Sequence, residues 1–151
     1  MGRYFPRDTR ELDVIEPPGF RRLTLSLAEM ALITGVILRL FRAVAVTYGP
    51  ATSWLYLASA IMLGALILFG MTALHLANYT LRHWLWRAPA FGLCEAATEM
   101  VVSAGHIMLG REPIGTERAD MGQWWEIPAY TIIFRTLAVC LFAAALAGVF
   151  Q

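Results

Sequence analysis

The sequence contains no lysine, so all twelve of its basic residues are arginine. Against eleven acidic residues they leave a formal net charge of +1. A chain so close to neutrality lacks the basic surface with which proteins neutralise nucleic-acid phosphates, and we expect no nucleic-acid partner. Arginine also suits ion pairs held in a medium of low dielectric constant, because its planar guanidinium binds carboxylates through two N–H groups.

Cysteine is scarce, and its two positions, Cys94 and Cys140, both lie in apolar stretches. Neither belongs to a Cys-x-x-Cys pair or a spaced Cys/His set, the patterns of zinc sites and c-type haem. The sequence also lacks a phosphate-binding loop, a dinucleotide fingerprint and a Ser or Cys nucleophile motif. We therefore expect no enzymatic activity, no cofactor and no bound metal.

Hydrophobic residues are in excess, at 58% of the chain, against about 45–50% in soluble proteins. They are concentrated in four stretches, residues 23–46, 53–77, 88–109 and 127–150. Each is long enough to cross a hydrocarbon layer about 30 Å thick, which takes ~20 apolar residues in a helix. Tryptophans such as Trp84 flank three of the stretches, as in the aromatic belts at headgroup depth. The fold prediction is an all-α integral membrane four-helix bundle with the N- and C-termini on the same side.

The distribution of arginine predicts the orientation of this bundle. Its N-terminal side carries seven arginines, five of them in a polar surface arm over residues 1–22, and the opposite side carries four. An excess of basic residues marks the cytoplasmic side of a membrane protein. We expect a multi-pass protein of a bacterial inner membrane, with cytoplasmic N- and C-termini and a non-cytoplasmic loop over residues 110–126.

Two charged residues of the third and fourth stretches are predicted to form an intramembrane ion pair. At about 1.5 Å per residue, Glu99 lies roughly 16 Å from the cytoplasmic end of its helix. Arg135 lies ~12 Å from the far side, which is nearly the same depth in a core about 30 Å thick. A charge buried without its partner would be strongly destabilising, so we interpret the pair first as a structural lock.

Polar residues of the third stretch recur at steps of three or four and therefore share one helix face. They are Glu95, Glu99, Ser103 and His106. Glu29 of the first stretch lies at nearly the depth of Glu95, roughly 9 Å against roughly 10 Å from the cytoplasmic face. Together these five residues are candidates for an ion or proton pathway. Their alternative role is the interior face of a bundle or a subunit contact. A metal site is not predicted, because it normally needs three convergent protein ligands.

Arg39 and Arg42 lie near the far end of the first stretch. Their spacing of three resembles the repeat of a voltage sensor, but two arginines are a short repeat. We expect both to be interfacial, with long side chains extending to the far membrane surface. Pairing with Glu112 or Glu126 is an alternative.

Small residues predict tight helix packing. Ala60 and Gly64 form a small-xxx-small pair in the second stretch. Such pairs let helices approach closely, within the chain or between chains, where lipid and side chains are equally apolar.

Three functional hypotheses follow. The leading one is a non-enzymatic integral membrane subunit that acts within a larger membrane protein assembly or homo-oligomer, since there is little sequence outside the apolar stretches and no catalytic motif. Its partners would be the lipid bilayer and other membrane subunits or further copies of itself. The second hypothesis is a proton or cation channel or transporter that uses the intramembrane carboxylates. The third is an accessory subunit of a redox or pigment complex, although no two histidines are predicted at equal depth to hold haem.

Overall fold

The computed structural model describes residues 25–49, 53–110 and 126–150. Four helices account for almost all of this part of the chain, and none of it is in a strand. They are α1 (Leu27–Tyr48), α2 (Trp54–Leu76), α3 (Leu81–Met108) and α4 (Glu126–Phe150). The predicted all-α class is therefore confirmed for the described part. The predicted arm over residues 1–22, and residues 111–125 of the predicted loop, lie outside it.

Two of the helices are long and apolar enough to cross a membrane. These segments are Trp54–Leu76, the whole of α2, and Ala129–Val149 of α4. Only 11% of each apolar window is buried inside the protein, whereas the core helix of a soluble protein is mostly buried. The two segments are thus compatible with a membrane location. The other two helices, α1 and α3, carry most of the ionisable residues.

The first helix begins later than the predicted start at residue 23, because Ser26 caps it. The Ser26 hydroxyl accepts a hydrogen bond from the Glu29 backbone N–H at 3.3 Å, and the Glu29 carboxylate accepts one from the Ser26 backbone N–H at 2.7 Å. This reciprocal arrangement is a capping box, which satisfies two backbone donors at a helix start. Glu29 therefore lies in the first turn of α1 and is exposed.

The third helix begins at Leu81, earlier than the predicted start at residue 88, and contains Pro89 within it. Trp84 is only 3% exposed, so it lies in the core rather than among lipid headgroups. Its indole N–H donates to the carbonyl oxygens of Leu76 at 2.9 Å and Tyr79 at 3.1 Å. Carbonyls at a helix end lack partners within the helix, so Trp84 ties the end of α2 to the start of α3.

The third helix, α3, packs against both α1 and α4. A glycine lies at the closest approach in each of these two crossings. A Cβ atom on Gly35 of α1 would lie 2.7 Å from the backbone oxygen of Glu95. A Cβ atom on Gly92 would lie 2.9 Å from the Cα atom of Thr136 in α4. Only glycine permits backbones to approach so closely, because any Cβ atom would collide with the facing helix.

Sequential helices run in opposite directions. The Tyr56 hydroxyl at the start of α2 donates to the Ala45 carbonyl near the end of α1, at 2.8 Å. In the same way, Glu99 near the end of α3 contacts Arg135 near the start of α4. At the other end of α2 and α4, the rings of Phe69 and Phe142 stack with their centroids 4.6 Å apart.

The distribution of polarity is inverted relative to a soluble protein. The apolar core is small and draws on all four helices; it comprises Met30, Ala31, Leu38, Leu68, Leu76, Trp84, Ala88, Phe91, Val139 and Ala143. Eight polar or charged residues of the described part are buried beside it: Thr34, Arg39, Thr72, His75, Thr80, Glu95, Glu99 and Ser103. In the same part, twenty-six large apolar residues are exposed. Charged residues are almost never fully buried unless they are paired. The buried Arg39, Glu95 and Glu99 are therefore expected to have partners inside the protein.

Candidate functional site

Charged side chains from three helices meet inside the protein. We call this group the charged cluster; its members are Arg39 and Arg42 of α1, Glu95, Glu99 and Ser103 of α3, and Arg135 of α4. The three residues of α3 are four apart and the two of α1 are three apart, and either spacing places side chains on one helix face. Each helix therefore contributes its polar face to the same interior region.

Glu99 lies at the centre of the charged cluster, and its side chain is fully buried. One carboxylate oxygen is 3.1 Å from Nη2 of Arg135, and the other is 2.7 Å from Nη1 of Arg42. The two residues that the depth argument paired are thus in contact, and Arg42 adds a second guanidinium. A single carboxylate connects α1, α3 and α4.

Glu95 is equally buried, but its contacts are weaker. Its nearest charged partner is Nη1 of Arg135, 3.9 Å from Oε1. Neither of its carboxylate oxygens has a hydrogen-bond partner within the described residues. At this separation the pair attracts through charge alone, since a hydrogen bond requires about 3 Å between donor and acceptor.

Arg39 and Arg42 turn into the bundle, which differs from the predicted interfacial position. Arg39 is only 2% exposed, and its Nε donates to the Ser103 hydroxyl at 2.6 Å. Arg42 reaches Glu99. Partners on α3 lie within reach of both guanidiniums, and a fixed hydrogen-bonded pair offsets the cost of burying the charge. Glu112 and the side chain of Glu126, the alternative partners, lie outside the described part of the chain.

The five predicted pathway residues do not all come together. Glu95, Glu99 and Ser103 face arginine side chains inside the charged cluster. Glu29 is exposed, and its carboxylate caps its own helix. His106 is half-buried, and its Nδ1 has no hydrogen-bond partner among the described residues. The predicted stripe on α3 is therefore mainly an interior contact surface.

Sequence reasoning missed a cavity of about 610 Å³ beside the charged cluster, between α1, α2 and α4. Its charged lining residues are Arg42 and Arg135. Ala60 and Gly64, which were expected to pack tightly within the chain or between chains, line this cavity within the chain. A Cβ atom on Gly64 would be 3.6 Å from the Phe41 ring, an ordinary contact, so the helices do not press together there. The small residues were the available signal, but their spacing alone does not distinguish a close crossing from a void.

His75 occupies a separate aromatic region. It is 1% exposed, and its ring lies 5.4 Å from the Phe91 ring and 5.2 Å from the Tyr79 ring, measured between centroids. The Arg87 guanidinium stacks over Tyr79 at 3.4 Å from the ring centroid. Across residues 25–49, 53–110 and 126–150, no group of three side chains suited to a metal ion comes together.

Comparisons of the chain with protein-family models, curated proteins and solved structures find no match.

Proposed function

We propose that the chain is an integral membrane protein that crosses the bilayer four times, with both termini in the cytoplasm, and acts as a non-enzymatic subunit of a larger membrane assembly or homo-oligomer. The observation that carries this proposal is the inverted polarity. Buried carboxylates and guanidiniums occupy the interior, while large apolar side chains cover the outside. Soluble monomers rarely expose contiguous apolar patches beyond a few hundred Å², so lipid or protein must cover this surface.

The charged cluster supports insertion of α1 and α3 despite their ionisable residues. On α1, Arg39 and Arg42 face α3, whereas Leu32, Leu40 and Val44 are exposed and would face lipid. Intramembrane charges are normally directed to the bundle interior and paired with one another. The charges of the cluster thus bind the helices together from the interior of the bundle.

The subunit role is supported by what the polar groups do. Glu99 contacts both Arg42 and Arg135, and Ser103 binds Arg39, so most of the charged cluster is engaged in holding helices. The outer apolar surface is then the largest feature left for interaction. Other membrane helices could pack on it as lipid does, through van der Waals contact.

Purification in a mild detergent tests the proposal. We expect the chain to stay with the membrane under alkaline carbonate, to require detergent for extraction, and to elute as a particle containing more protein than one 16.8 kDa chain. Light scattering or native mass spectrometry would give that protein mass. A stable monomer with no co-purifying protein would contradict the assembly role. A folded chain in buffer without detergent would contradict the membrane location itself.

A second candidate is proton transfer across the membrane, and Glu95 favours it. This buried carboxyl group has no hydrogen-bond partner in the described residues and lies within 4 Å of a guanidinium. Such a group can hold and release a proton, whereas the surrounding arginines repel metal cations. Proton flux into liposomes would test it. We expect flux that is lost in Glu95→Gln and retained in Glu29→Gln, whose carboxyl is exposed outside the charged cluster. Equal flux in both variants, or none in the wild type, would remove this candidate.

A further inference from the structure

The cavity between α1, α2 and α4 has two contrasting parts. Most of its wall is apolar, with Leu38, Phe41, Leu57, Ile61 and Leu68 among the lining residues. Among the lining residues that the structure describes, the charged groups are the guanidiniums of Arg42 and Arg135. We propose that it binds a lipid acid with a single hydrocarbon chain and a terminal carboxylate. This inference rests on the proposed membrane location, which supplies such a ligand.

The apolar part suits one hydrocarbon chain. The volume of about 610 Å³ falls within the ~300–1,000 Å³ of small-molecule sites. Lining residues of α2 extend from Tyr56 to Phe69, about 20 Å along a helix. Leu57 and Ile61 also line the cavity and are 60% and 64% exposed. The cavity therefore has an open side on the outer apolar surface, where a lipid tail can enter.

Among the described lining residues, the charged groups of the polar part are hydrogen-bond donors. Glu95 and Glu99 are fully buried on α3, and α3 contributes no lining residue. Arg42 and Arg135 keep 31% and 20% of their side chains exposed. The described contacts of Arg135 involve its two Nη atoms, and a guanidinium has five N–H donors. A ligand in the cavity thus meets cationic N–H groups, which bind carboxylates in paired, charge-assisted hydrogen bonds.

The depth of the arginines favours a free acid over a two-chain phospholipid. Arg42 lies about 10 Å before Gly49 along α1, and Gly49 is the lining residue at the end of that helix. A phospholipid phosphate is held at headgroup depth by its two chains and the glycerol between them. A terminal carboxylate carries only one chain and can enter to the level of the guanidiniums.

Ligand binding to the full chain in non-ionic detergent tests the inference. The probes are oleate, its neutral analogue methyl oleate, and phosphatidylglycerol, each titrated and counted as bound adducts by native mass spectrometry. The variant is Gly64→Leu, which projects a side chain into the cavity and leaves the charged cluster intact. Its matched control is Gly70→Leu on the same helix, where a Cβ atom meets nothing within 4 Å.

We expect one saturable oleate site, with methyl oleate bound at least tenfold more weakly, since a hydrogen bond to a charged group is worth about a factor of ten or more. Gly64→Leu should weaken oleate binding by a similar factor, and Gly70→Leu should not. Equal binding of oleate and methyl oleate, equal binding by the two variants, or binding of phosphatidylglycerol in preference to oleate would overturn the inference. Saturable oleate binding to a monomer would uphold the cavity while contradicting the assembly role, so the two proposals fail separately.

Discussion

Glu95 and Glu99 form a matched pair for measuring what a buried hydrogen-bonded ion pair contributes here. Both side chains are fully buried and lie one helical turn apart on α3. Glu99 contacts two guanidiniums at 2.7 and 3.1 Å, whereas Glu95 has one guanidinium at 3.9 Å and no hydrogen bond among the described residues. The same substitution at the two positions should therefore have very different effects on stability.

The change Glu99→Gln leaves Arg42 and Arg135 without their shared carboxylate. Removing one partner of a buried ion pair costs about 3–5 kcal/mol of unfolding free energy. The two arginines are 31% and 20% exposed, and solvent screening of an exposed charge reduces the loss. We therefore expect the lower end, about 3 kcal/mol.

The change Glu95→Gln removes a buried charge that has only a distant partner. Burying a carboxylate without hydrogen bonds is costly, and this cost offsets the attraction to Arg135. We expect a change of about 1 kcal/mol or less in either direction. If Glu95 carries protons, this variant should lose flux while keeping its stability.

Reversible unfolding in mixed detergent micelles, followed by tryptophan fluorescence, would give both free energies. Arg82→Gln, an exposed position on the same helix, is the control for a charge change outside the charged cluster. A double-mutant cycle of Glu99→Gln with Arg135→Gln should show a cost well below the sum of the single changes, since coupled neighbours are not additive. Equal losses for Glu95→Gln and Glu99→Gln, or an additive cycle, would refute the reasoning.

Three further predictions concern the helix contacts, each measured by the same unfolding assay. Gly35→Ala should lower the free energy of unfolding by about 1–3 kcal/mol through overpacking, because its Cβ atom would meet the Glu95 backbone oxygen at 2.7 Å. The control Gly70→Ala, at a position in open space, should be neutral or stabilising. Equal effects of the two changes would contradict the close crossing. Trp84→Phe should lower the free energy of unfolding by about 1–3 kcal/mol, since it removes the two hydrogen bonds that the indole N–H donates to carbonyls of the α2–α3 connection. An unchanged stability would show that these bonds contribute nothing. Ser26→Ala should destabilise by about 0.5–2 kcal/mol through loss of the capping box, and substitution by Asp, another capping residue, should restore most of it; equal stability of the Ala and Asp variants would argue against the cap.

The sequence predicts the position of a residue along the helix axis better than it predicts which residues of other helices surround it. A helix rises by a constant distance per residue and a bilayer core has a known thickness, so Glu99 and Arg135 could be matched along one axis. Which helix faces which is a lateral question that depends on side-chain packing. Arg39 and Arg42 illustrate the limit: their reach was foreseeable, but their direction toward α3 was not.

Two local features could have been read from the sequence and were not. Ser26 and Glu29 have the spacing of a capping box before an apolar stretch, which would have placed Glu29 at the helix start instead of two turns inside. The third apolar stretch was predicted to start at residue 88, next to Pro89, yet α3 continues through that proline from Leu81. Trp84, in the first turn of α3, donates its indole N–H to the carbonyls of Leu76 and Tyr79, which precede this helix.

By itself, the sequence determined that four apolar segments form helices, because each run is much longer than a strand and contains few helix breakers. It also determined which charges would need partners. Only the tertiary structure decided that Gly35 and Gly92 are crossing points, that Glu99 binds two arginines and Glu95 none closely, and that Ala60 and Gly64 border a cavity. The physical reason is that composition and spacing act along one helix, whereas crossings, ion pairs and voids depend on how surfaces of different helices fit together.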